Sequence, residues 1–218
     1  MKFFIDTANL DQIREAQALG ILDGVTTNPA MVAKEGIKGQ QNMLNHYLAI
    51  CEIVKGDASA EVLSTDFEGM IKEGTELAAL HPQIVVKVPV IKDGIKAIKY
   101  FSDHGIRTNC TLVFNQGQAL LAAKAGAAYV SPFVGRLDDN ATDGMELIRQ
   151  IVDMFNYYEF PTQVLAASIR HTMHIIKCIE YGADVATCPL SAIVGLLNHP
   201  LTDIGLQKFI EDSKKMKD

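Results

Sequence analysis

The chain has 218 residues, of which 48% are hydrophobic, and its formal net charge is −6. This length fits one domain with a sizeable core, and a mildly acidic charge without a basic block argues against a nucleic-acid binder. No apolar run approaches the ~20 residues that a membrane helix needs. No signal peptide is visible at the N-terminus, and the four cysteines lack metal-site spacing. We therefore expect a cytoplasmic protein that uses neither a metal nor a cofactor.

Short apolar segments alternate with longer amphipathic segments along the whole chain. Strands are predicted at residues 2–8, 24–29, 58–63, 84–90, 107–114, 128–135, 162–168 and 184–190. Helices are predicted at residues 9–20, 66–80, 93–105, 115–127, 144–158, 170–183, 189–198 and 201–216, and several of them end at a glycine. Apolar strands separated by helices indicate a parallel sheet that helices cover.

Two architectures fit this alternation. Eight strand–helix units in about 200 residues match a (β/α)8 TIM barrel at the small end of its size range. A doubly wound open sheet usually carries a glycine-rich phosphate turn after its first strand, and the "TANLD" that follows "KFFID" contains no glycine. We predict one TIM-barrel domain over residues 1–218, with an additional C-terminal helix at about 201–216. The apolar face of that helix needs a partner surface, either on its own barrel or on another subunit.

Polar side chains recur near the ends of the predicted strands. Barrel enzymes build their sites at the C-terminal ends of the strands, so these side chains would face one mouth. Any one of them is most often only a cap or a loop anchor, but their convergence weakens that interpretation. The residues are Asp6, Thr26 to Asn28, Glu61, Lys87, Asn109, Thr111, Ser131, Arg136, Ser168 and Arg170.

Lys87 lies in the middle of the apolar run "IVVKVPV". A lysine in such a strand reaches water, pairs with an acid, or lies in the barrel mouth. Reaching water is difficult here, because both faces of a barrel strand are covered. A desolvated amine favours its neutral form, which is a nucleophile. Lys87 is therefore predicted to attack a carbonyl carbon and form a Schiff base.

Two carboxylates are candidate partners for this lysine. Asp6 ends the first strand, where it would serve either as a helix N-cap or as a general acid/base across the mouth from Lys87. Glu61 lies between Ala60 and Val62, and a buried carboxylate costs free energy unless it is paired or hydrogen-bonded. Glu61 is predicted to hold a water molecule and pass protons.

Two arginines follow the sixth and seventh strands closely. Arg136 and Arg170, together with Ser168, would form a clamp for a phosphate group. Either arginine alone would more often form a surface ion pair. The six histidines are dispersed and show no metal-binding triad, and His171 and His174 are interpreted as surface or packing residues.

Seven motifs then resemble a known family: "FIDTA", "GVTTNP", "EVL", "VVKVP", "NCTLVF", "SPFVGRLDD" and "AASIR". They are similar to the transaldolase family, in the short subgroup that also contains the fructose-6-phosphate aldolases. The motifs occur in the family's order and the resemblance runs from residue 3 to about 210. It implies a TIM barrel and a metal-free aldol mechanism of the pentose phosphate pathway that proceeds through a lysine Schiff base.

The resemblance also implies a role for each matching residue. Lys87 would form the Schiff base, Asp6 would remove the C4 hydroxyl proton, and Glu61 with Thr111 would hold the proton-shuttling water. The remaining matches would bind the substrate: Asn28, Asn109 and Ser131 the dihydroxyacetone hydroxyls, and Arg136, Ser168 and Arg170 the phosphate.

The implied substrates are fructose 6-phosphate, sedoheptulose 7-phosphate, erythrose 4-phosphate and glyceraldehyde 3-phosphate. Transfer is favoured over the lyase reaction of a fructose-6-phosphate aldolase, because Glu61 stands where the aldolases resemble one another in having glutamine and Phe133 where they have tyrosine. A barrel that binds sugar phosphates without catalysis is a third hypothesis. In the short subgroup the C-terminal helix packs on a neighbouring subunit, which implies a homo-oligomer, a pentamer or decamer.

Overall fold

The computed structural model describes residues 1–216 and contains a closed barrel of parallel strands in which chain order equals spatial order. Each strand pairs with the next, and the first also pairs with the last, so the sheet has no edge. The predicted TIM-barrel fold is confirmed. The strands are β1 (Lys2–Asp6), β2 (Gly24–Thr26), β3 (Asp57–Glu61), β4 (Ile84–Pro89), β5 (Thr108–Val113), β6 (Tyr129–Pro132), β7 (Gln163–Ala166) and β8 (Val185–Cys188).

Helices follow every strand, and most of them cover the outside of the barrel. They are α1 (Leu10–Ala18), α2 (Pro29–Lys34), α3 (Gln40–Ile53), α4 (Phe67–Leu80), α5 (Lys92–Asp103), α6 (Gln116–Lys124), α7 (Val134–Asp138), α8 (Gly144–Tyr157), α9 (Thr172–Tyr181), α10 (Leu190–Val194) and α11 (Pro200–Lys215). None of these helices is long and apolar enough to cross a bilayer, within the part of the chain that the structure describes.

The predicted elements match the structure except after β2 and after β6. The strand predicted at 128–135 ends at Pro132, and the α7 that follows it was not predicted. No helix was predicted between residues 30 and 57, where the structure has α2 and α3. The start of α2 was readable, because Asn28 caps the helix and Pro29 occupies its first turn, which is a favoured N-terminal pair. The predicted glycine stops are confirmed: backbone φ is 73° at Gly20 and 75° at Gly182, a left-handed conformation that suits glycine.

Side chains alternate between two cores along each strand, as period-two geometry requires. One set points outward and packs under the helices, for example Ile5, Val86 and Val130. The inward set belongs to a separate buried cluster. We call its large members the apolar plug: Phe4, Val85, Tyr129, Leu165 and Val185.

The plug is closed at the N-terminal end of the barrel by paired polar groups. Asp57 accepts hydrogen bonds from Arg107 Nη1 at 2.7 Å and from the Tyr129 hydroxyl at 2.8 Å. Gly24 makes room for the plug, because a Cβ there would lie 2.5 Å from the Phe4 ring. An open pocket of about 440 Å³ lies against the plug at this end. The sites of barrel enzymes are built at the C-terminal ends of the strands, so we look to the opposite end for a site.

The C-terminal helix α11 projects from the barrel. None of its residues is buried, and its apolar side chains are among the most exposed in the structure. Leu201 is 69% exposed, Ile204 64% and Phe209 72%. The sequence left two partner surfaces open for the apolar side chains of α11, its own barrel and another subunit. Its own barrel does not cover them.

Candidate active site

Above the apolar plug the inward-facing positions become polar and surround a cavity of about 180 Å³ at the C-terminal ends of the strands. Eight of the residues predicted at the barrel mouth line this cavity: Asp6, Thr26, Asn28, Lys87, Ser131, Phe133, Arg136 and Ser168. They are joined by Met31, Ala167 and Thr187. A larger groove of about 660 Å³ lies between α2, α3 and α4 and reaches Glu61. The smaller cavity is the better candidate site, because it gathers titratable groups from several strands.

Lys87 is buried inside the barrel, with only 6% of its surface exposed. Its Nζ donates to the backbone oxygen of Thr27 at 3.0 Å and lies 3.2 Å from a carboxylate oxygen of Glu61. Glu61 ends β3 directly opposite Lys87 in the sheet, and this register places the two side chains together. Of the fates considered for Lys87, it both pairs with an acid and faces the barrel mouth, and Glu61 is close enough to take a proton from it.

Asp6 faces the same cavity from β1. Burial raises the pKa of Asp6 above its ordinary value, while the Thr26 hydroxyl and the Lys87 charge lower it and Glu61 raises it. Thr26 Oγ1 donates to Asp6 at 2.7 Å and lies 2.6 Å from the Thr187 hydroxyl. Asp6 is not a helix cap, since Asn9 fills that role for α1. A buried, hydrogen-bonded carboxyl near a lysine is suited to acid/base chemistry.

A line of polar side chains crosses the barrel interior beside Lys87. The Ser131 hydroxyl donates to Asn109 Oδ1 at 2.7 Å, and Asn109 Nδ2 donates to the Ser59 hydroxyl at 3.2 Å. Asn109 is fully buried and lies opposite Lys87 in the sheet. Asn28 has a second task, since its Oδ1 accepts from the Met31 backbone as the cap of α2.

Thr111 is buried on β5, and its hydroxyl has no hydrogen-bond partner among residues 1–216. The next residue, Leu112, has a φ of 62°, and the register between β5 and β6 shifts at this point. Such strain in a non-glycine residue is tolerated where the surrounding structure fixes it, often at functional sites. Thr111 therefore offers an unused donor and acceptor in the interior.

The predicted phosphate clamp is only partly assembled around the cavity. Arg136 and Ser168 line it, and Ser168 has a φ of 59°, another left-handed non-glycine residue. Arg170 does not line it, and its guanidinium is paired with Asp139 through two contacts of 2.8 Å and 2.5 Å. Arg170 thus forms a surface ion pair, which is the alternative that the sequence analysis gave for an arginine acting alone.

Several residues at the site were not singled out from the sequence. Ser59 and Thr187 could have been found, because each lies two positions from another inward-facing residue of its strand. Tyr47 could not, since it comes from the unpredicted α3. Burial raises the pKa of Tyr47 above its ordinary value. Its hydroxyl is buried and has no hydrogen-bond partner among residues 1–216.

The described residues contain no group of three or more His, Cys, Asp or Glu side chains arranged to bind a metal ion. The four cysteines are buried and unpaired. Burial raises the pKa of Cys51 to about 11 and those of Cys110 and Cys178 to about 12. The residues that line the cavity include none of the four cysteines, so Lys87 stays the candidate nucleophile of the site.

Known proteins are similar to this chain over nearly its whole length. A family model described as transaldolase/fructose-6-phosphate aldolase matches residues 3–218. Proteins named probable transaldolase are similar over nearly their whole length: 75% identical in Parabacteroides distasonis over 216 residues (99% of each chain), and 72% in Porphyromonas gingivalis over 218 residues (100% of this chain and 99% of that one). A further one from Bacteroides fragilis is 72% identical over the full length of both chains. With this match and the closed barrel that surrounds a buried lysine, the chain belongs to the transaldolase/fructose-6-phosphate aldolase family.

Proposed function

We propose that this enzyme is a transaldolase, which moves a dihydroxyacetone unit from a ketose phosphate to an aldose phosphate through a Schiff base on Lys87. One observation carries the proposal: the Lys87 amine is buried beside Glu61 in the cavity that Asp6 also faces. An amine shielded in this way can form an imine with a ketone, and the adjacent carboxylate can carry the protons that this step requires.

Imine formation requires proton transfers at Lys87. Glu61 accepts a proton from Nζ at 3.2 Å, and the free amine then attacks the C2 carbonyl carbon of the ketose. The carbinolamine loses its hydroxyl as water, with Glu61 returning the proton. The otherwise unpartnered Thr111 hydroxyl is suited to orient that water. The protonated imine that results is an electron sink for the next step.

Carbon–carbon cleavage is assigned to Asp6. Its carboxylate removes the proton of the C4 hydroxyl, the C3–C4 bond breaks, and the bonding electrons move into the imine to give an enamine on Lys87. An aldose phosphate leaves, and the enamine attacks the aldehyde of an acceptor in the reverse sequence. The threonine hydroxyl at 2.7 Å holds Asp6 in one orientation through both half-reactions.

Substrate contacts are assigned to the polar residues around the cavity. Asn28, Asn109 and Ser131 are suited to bind the dihydroxyacetone hydroxyls, because the Asn109–Ser131 bond preorganises both groups. Arg136, Ser168 and Arg170 are assigned to the phosphate. The proposed donors are fructose 6-phosphate and sedoheptulose 7-phosphate, and the acceptors are erythrose 4-phosphate and glyceraldehyde 3-phosphate.

A fructose-6-phosphate aldolase would use the same imine but release the enamine by protonation and hydrolysis. Two residues favour transfer instead. Phe133 offers an apolar ring at the cavity wall, where a tyrosine hydroxyl would hold a water, and Glu61 is bound to Lys87. With fewer groups to assist hydrolysis, the enamine persists until an acceptor arrives.

Trapping the imine tests the proposal. Sodium borohydride with fructose 6-phosphate is expected to add the reduced dihydroxyacetone mass to the peptide that contains Lys87. Release of glyceraldehyde 3-phosphate is expected to rise strongly when erythrose 4-phosphate is added. Equal release with and without the acceptor favours the aldolase, and no trapped adduct favours a barrel that only binds sugar phosphates.

The same proposal includes the setting of the enzyme. We expect a single-domain cytoplasmic enzyme of the pentose phosphate pathway that assembles as a pentamer or decamer. The exposed apolar stripe of α11 supports an oligomer, because a helix with Phe209 72% exposed needs a covering surface in water.

A further inference from the structure

A carboxylate outside the cavity holds one of the proposed phosphate-binding arginines. Asp139 follows α7, and its two oxygens accept from Arg170 Nη1 at 2.8 Å and Nη2 at 2.5 Å. Both side chains are about half exposed, at 48% and 46%. An exposed ion pair adds little to stability, but a two-point contact fixes the plane and direction of the guanidinium. The pair is therefore better explained by orientation than by stability.

The aliphatic part of the Arg170 side chain packs directly against Gly135. A Cβ at position 135 would lie 2.6 Å from Arg170 Nε and 3.0 Å from its Cγ, so Arg170 crosses directly over Gly135. Gly135 immediately precedes Arg136, which lines the cavity. Arg170 thus crosses the short helix that carries Arg136, although 34 residues separate the two arginines in sequence.

Further bonds tie α7 to the segment after β7. The backbone N–H of Gly135 donates to the Ser168 carbonyl at 3.1 Å. His174 accepts from the Arg170 N–H at 3.4 Å through Nδ1, and its Nε2 lies 3.0 Å from Asp138. Burial lowers the pKa of His174, which suits a neutral ring that accepts at one nitrogen and donates at the other. Arg170 is therefore anchored at its backbone, its stem and its guanidinium.

We infer that Asp139 is a positioning residue for the phosphate of the substrate, holding Arg170 where it acts together with Arg136. This inference rests on the proposed function. The two contacts use one hydrogen on each terminal nitrogen of Arg170, so three of the five guanidinium hydrogens stay available for phosphate oxygens. Because Asp139 directly follows the helix that carries Arg136, it sets the distance between the two halves of the clamp.

The inference predicts a change in preference for phosphorylated substrates. An Asp139→Asn amide lacks the charge to hold the guanidinium, so Arg170 would spend most of its time in other rotamers. The concentration of fructose 6-phosphate for half-maximal imine trapping should rise about tenfold relative to that of unphosphorylated fructose. Asp139→Glu, which keeps the charge, should recover part of the preference.

Borohydride trapping followed by mass spectrometry measures this ratio in five variants. Asp153→Asn is the matched control, because it breaks an Asp–Arg pair of 2.8 Å on the surface of α8. Arg170→Met and the double variant Arg170→Met/Asp139→Asn complete a cycle, in which Asp139→Asn should have no further effect once Arg170 is absent. Thermal unfolding of each variant checks that the fold is retained.

Each outcome has a separate meaning. An unchanged preference for fructose 6-phosphate in Asp139→Asn overturns the inference. An improved preference also overturns it, because it would show that Asp139 competes with the phosphate for Arg170. A full effect of Asp139→Asn in the Arg170→Met background also overturns it. Absence of any trapped imine in the unaltered protein, with either sugar, instead overturns the proposed function.

Discussion

The two ends of the barrel interior are built from the same strands but have opposite chemistry. Toward the N-terminal end, Phe4, Val85 and Leu165 fill the interior with apolar side chains. One inward step further along, Asp6 follows Phe4 on β1 and Lys87 follows Val85 on β4. A shift of two residues therefore separates a position that stabilises the fold from one that can react.

This difference shows why a charged residue is tolerated in the middle of an apolar strand. The outward neighbours of Lys87, Val86 and Val88, are fully buried under the helices. Lys87 itself points inward and finds a carboxylate and a carbonyl oxygen, so its charge is not left unpaired. The run thus contains two alternating sets of side chains. The outward set packs under the helices, and the inward set changes from the apolar plug at Val85 to the site at Lys87.

The largest effect on activity is expected for Lys87→Met, which tests whether the polar end of the barrel interior carries the reaction. The change removes the nucleophile while keeping an unbranched side chain in the interior. We expect transfer activity to fall about 10⁴-fold or more, with the folded structure retained. Steady-state transfer assays and circular dichroism measure the two effects. Lys96→Met, which alters an exposed lysine of α5 paired with Asp93, is the control. Residual turnover within tenfold of the unaltered enzyme would rule out an imine at Lys87.

Asp6→Asn should separate function from stability in the same protein. Loss of the acid/base group should lower activity about 10²- to 10⁴-fold. Because burial raises the pKa of Asp6 above its ordinary value of 3.8, the stability due to protonated Asp6 is complete below that value and is lost as pH rises through the raised pKa. Ionised Asp6 therefore destabilises the fold at neutral pH, and the amide removes this cost.

We expect Asp6→Asn to unfold a few degrees higher than the unaltered protein at pH 7. The gap should narrow as the pH is lowered toward the ordinary pKa of the carboxyl. Differential scanning calorimetry across that range measures it. A lower melting temperature at pH 7 would mean that the contacts of Asp6 with Thr26 and Lys87 outweigh its desolvation.

The fold could be predicted from the sequence because its signals are local. Most outward positions of the strands are apolar, and glycines such as Gly20 and Gly182 end helices in the left-handed conformation. The segment after β2 was missed because the Asn28–Pro29 helix start was given only a binding interpretation. The position of α11 was left open, since an amphipathic stripe shows that a partner is needed but not which surface provides it.

The candidate site was predictable where it follows strand register. Asp6, Lys87 and Ser131 are inward positions near strand ends, and the barrel brings them to one cavity. Contacts that depend on loops and helices were not predictable. The pairing of Arg170 with Asp139 joins segments 31 residues apart, and nothing in the local sequence of either distinguishes this pair from a surface ion pair.

At the apolar, N-terminal end of the barrel interior, Leu165→Ala should lower the stability of the fold without changing activity. Leu165 is fully buried in the apolar plug, and truncating such a leucine usually costs about 2–5 kcal/mol. Urea unfolding should show this loss, whereas the specific activity of the folded fraction should stay near that of the unaltered enzyme. Leu121→Ala, at a 54% exposed leucine of α6, is the matched control. A large fall in specific activity would show that the plug also shapes the site.

The smallest expected effect concerns Phe133, which lines the cavity beside the lysine and packs edge-on against Phe114, with ring centroids 5.8 Å apart. Phe133→Tyr adds one hydroxyl at this wall, which can hold a water near the enamine on Lys87. Release of glyceraldehyde 3-phosphate from fructose 6-phosphate without an acceptor should therefore rise several-fold, about 1 kcal/mol of barrier. Phe114→Tyr places the same hydroxyl on the neighbouring ring, which does not line the cavity, and should leave the rate unchanged. If both variants behave alike, water access at Phe133 does not decide between transfer and hydrolysis, and the preference must come from Glu61.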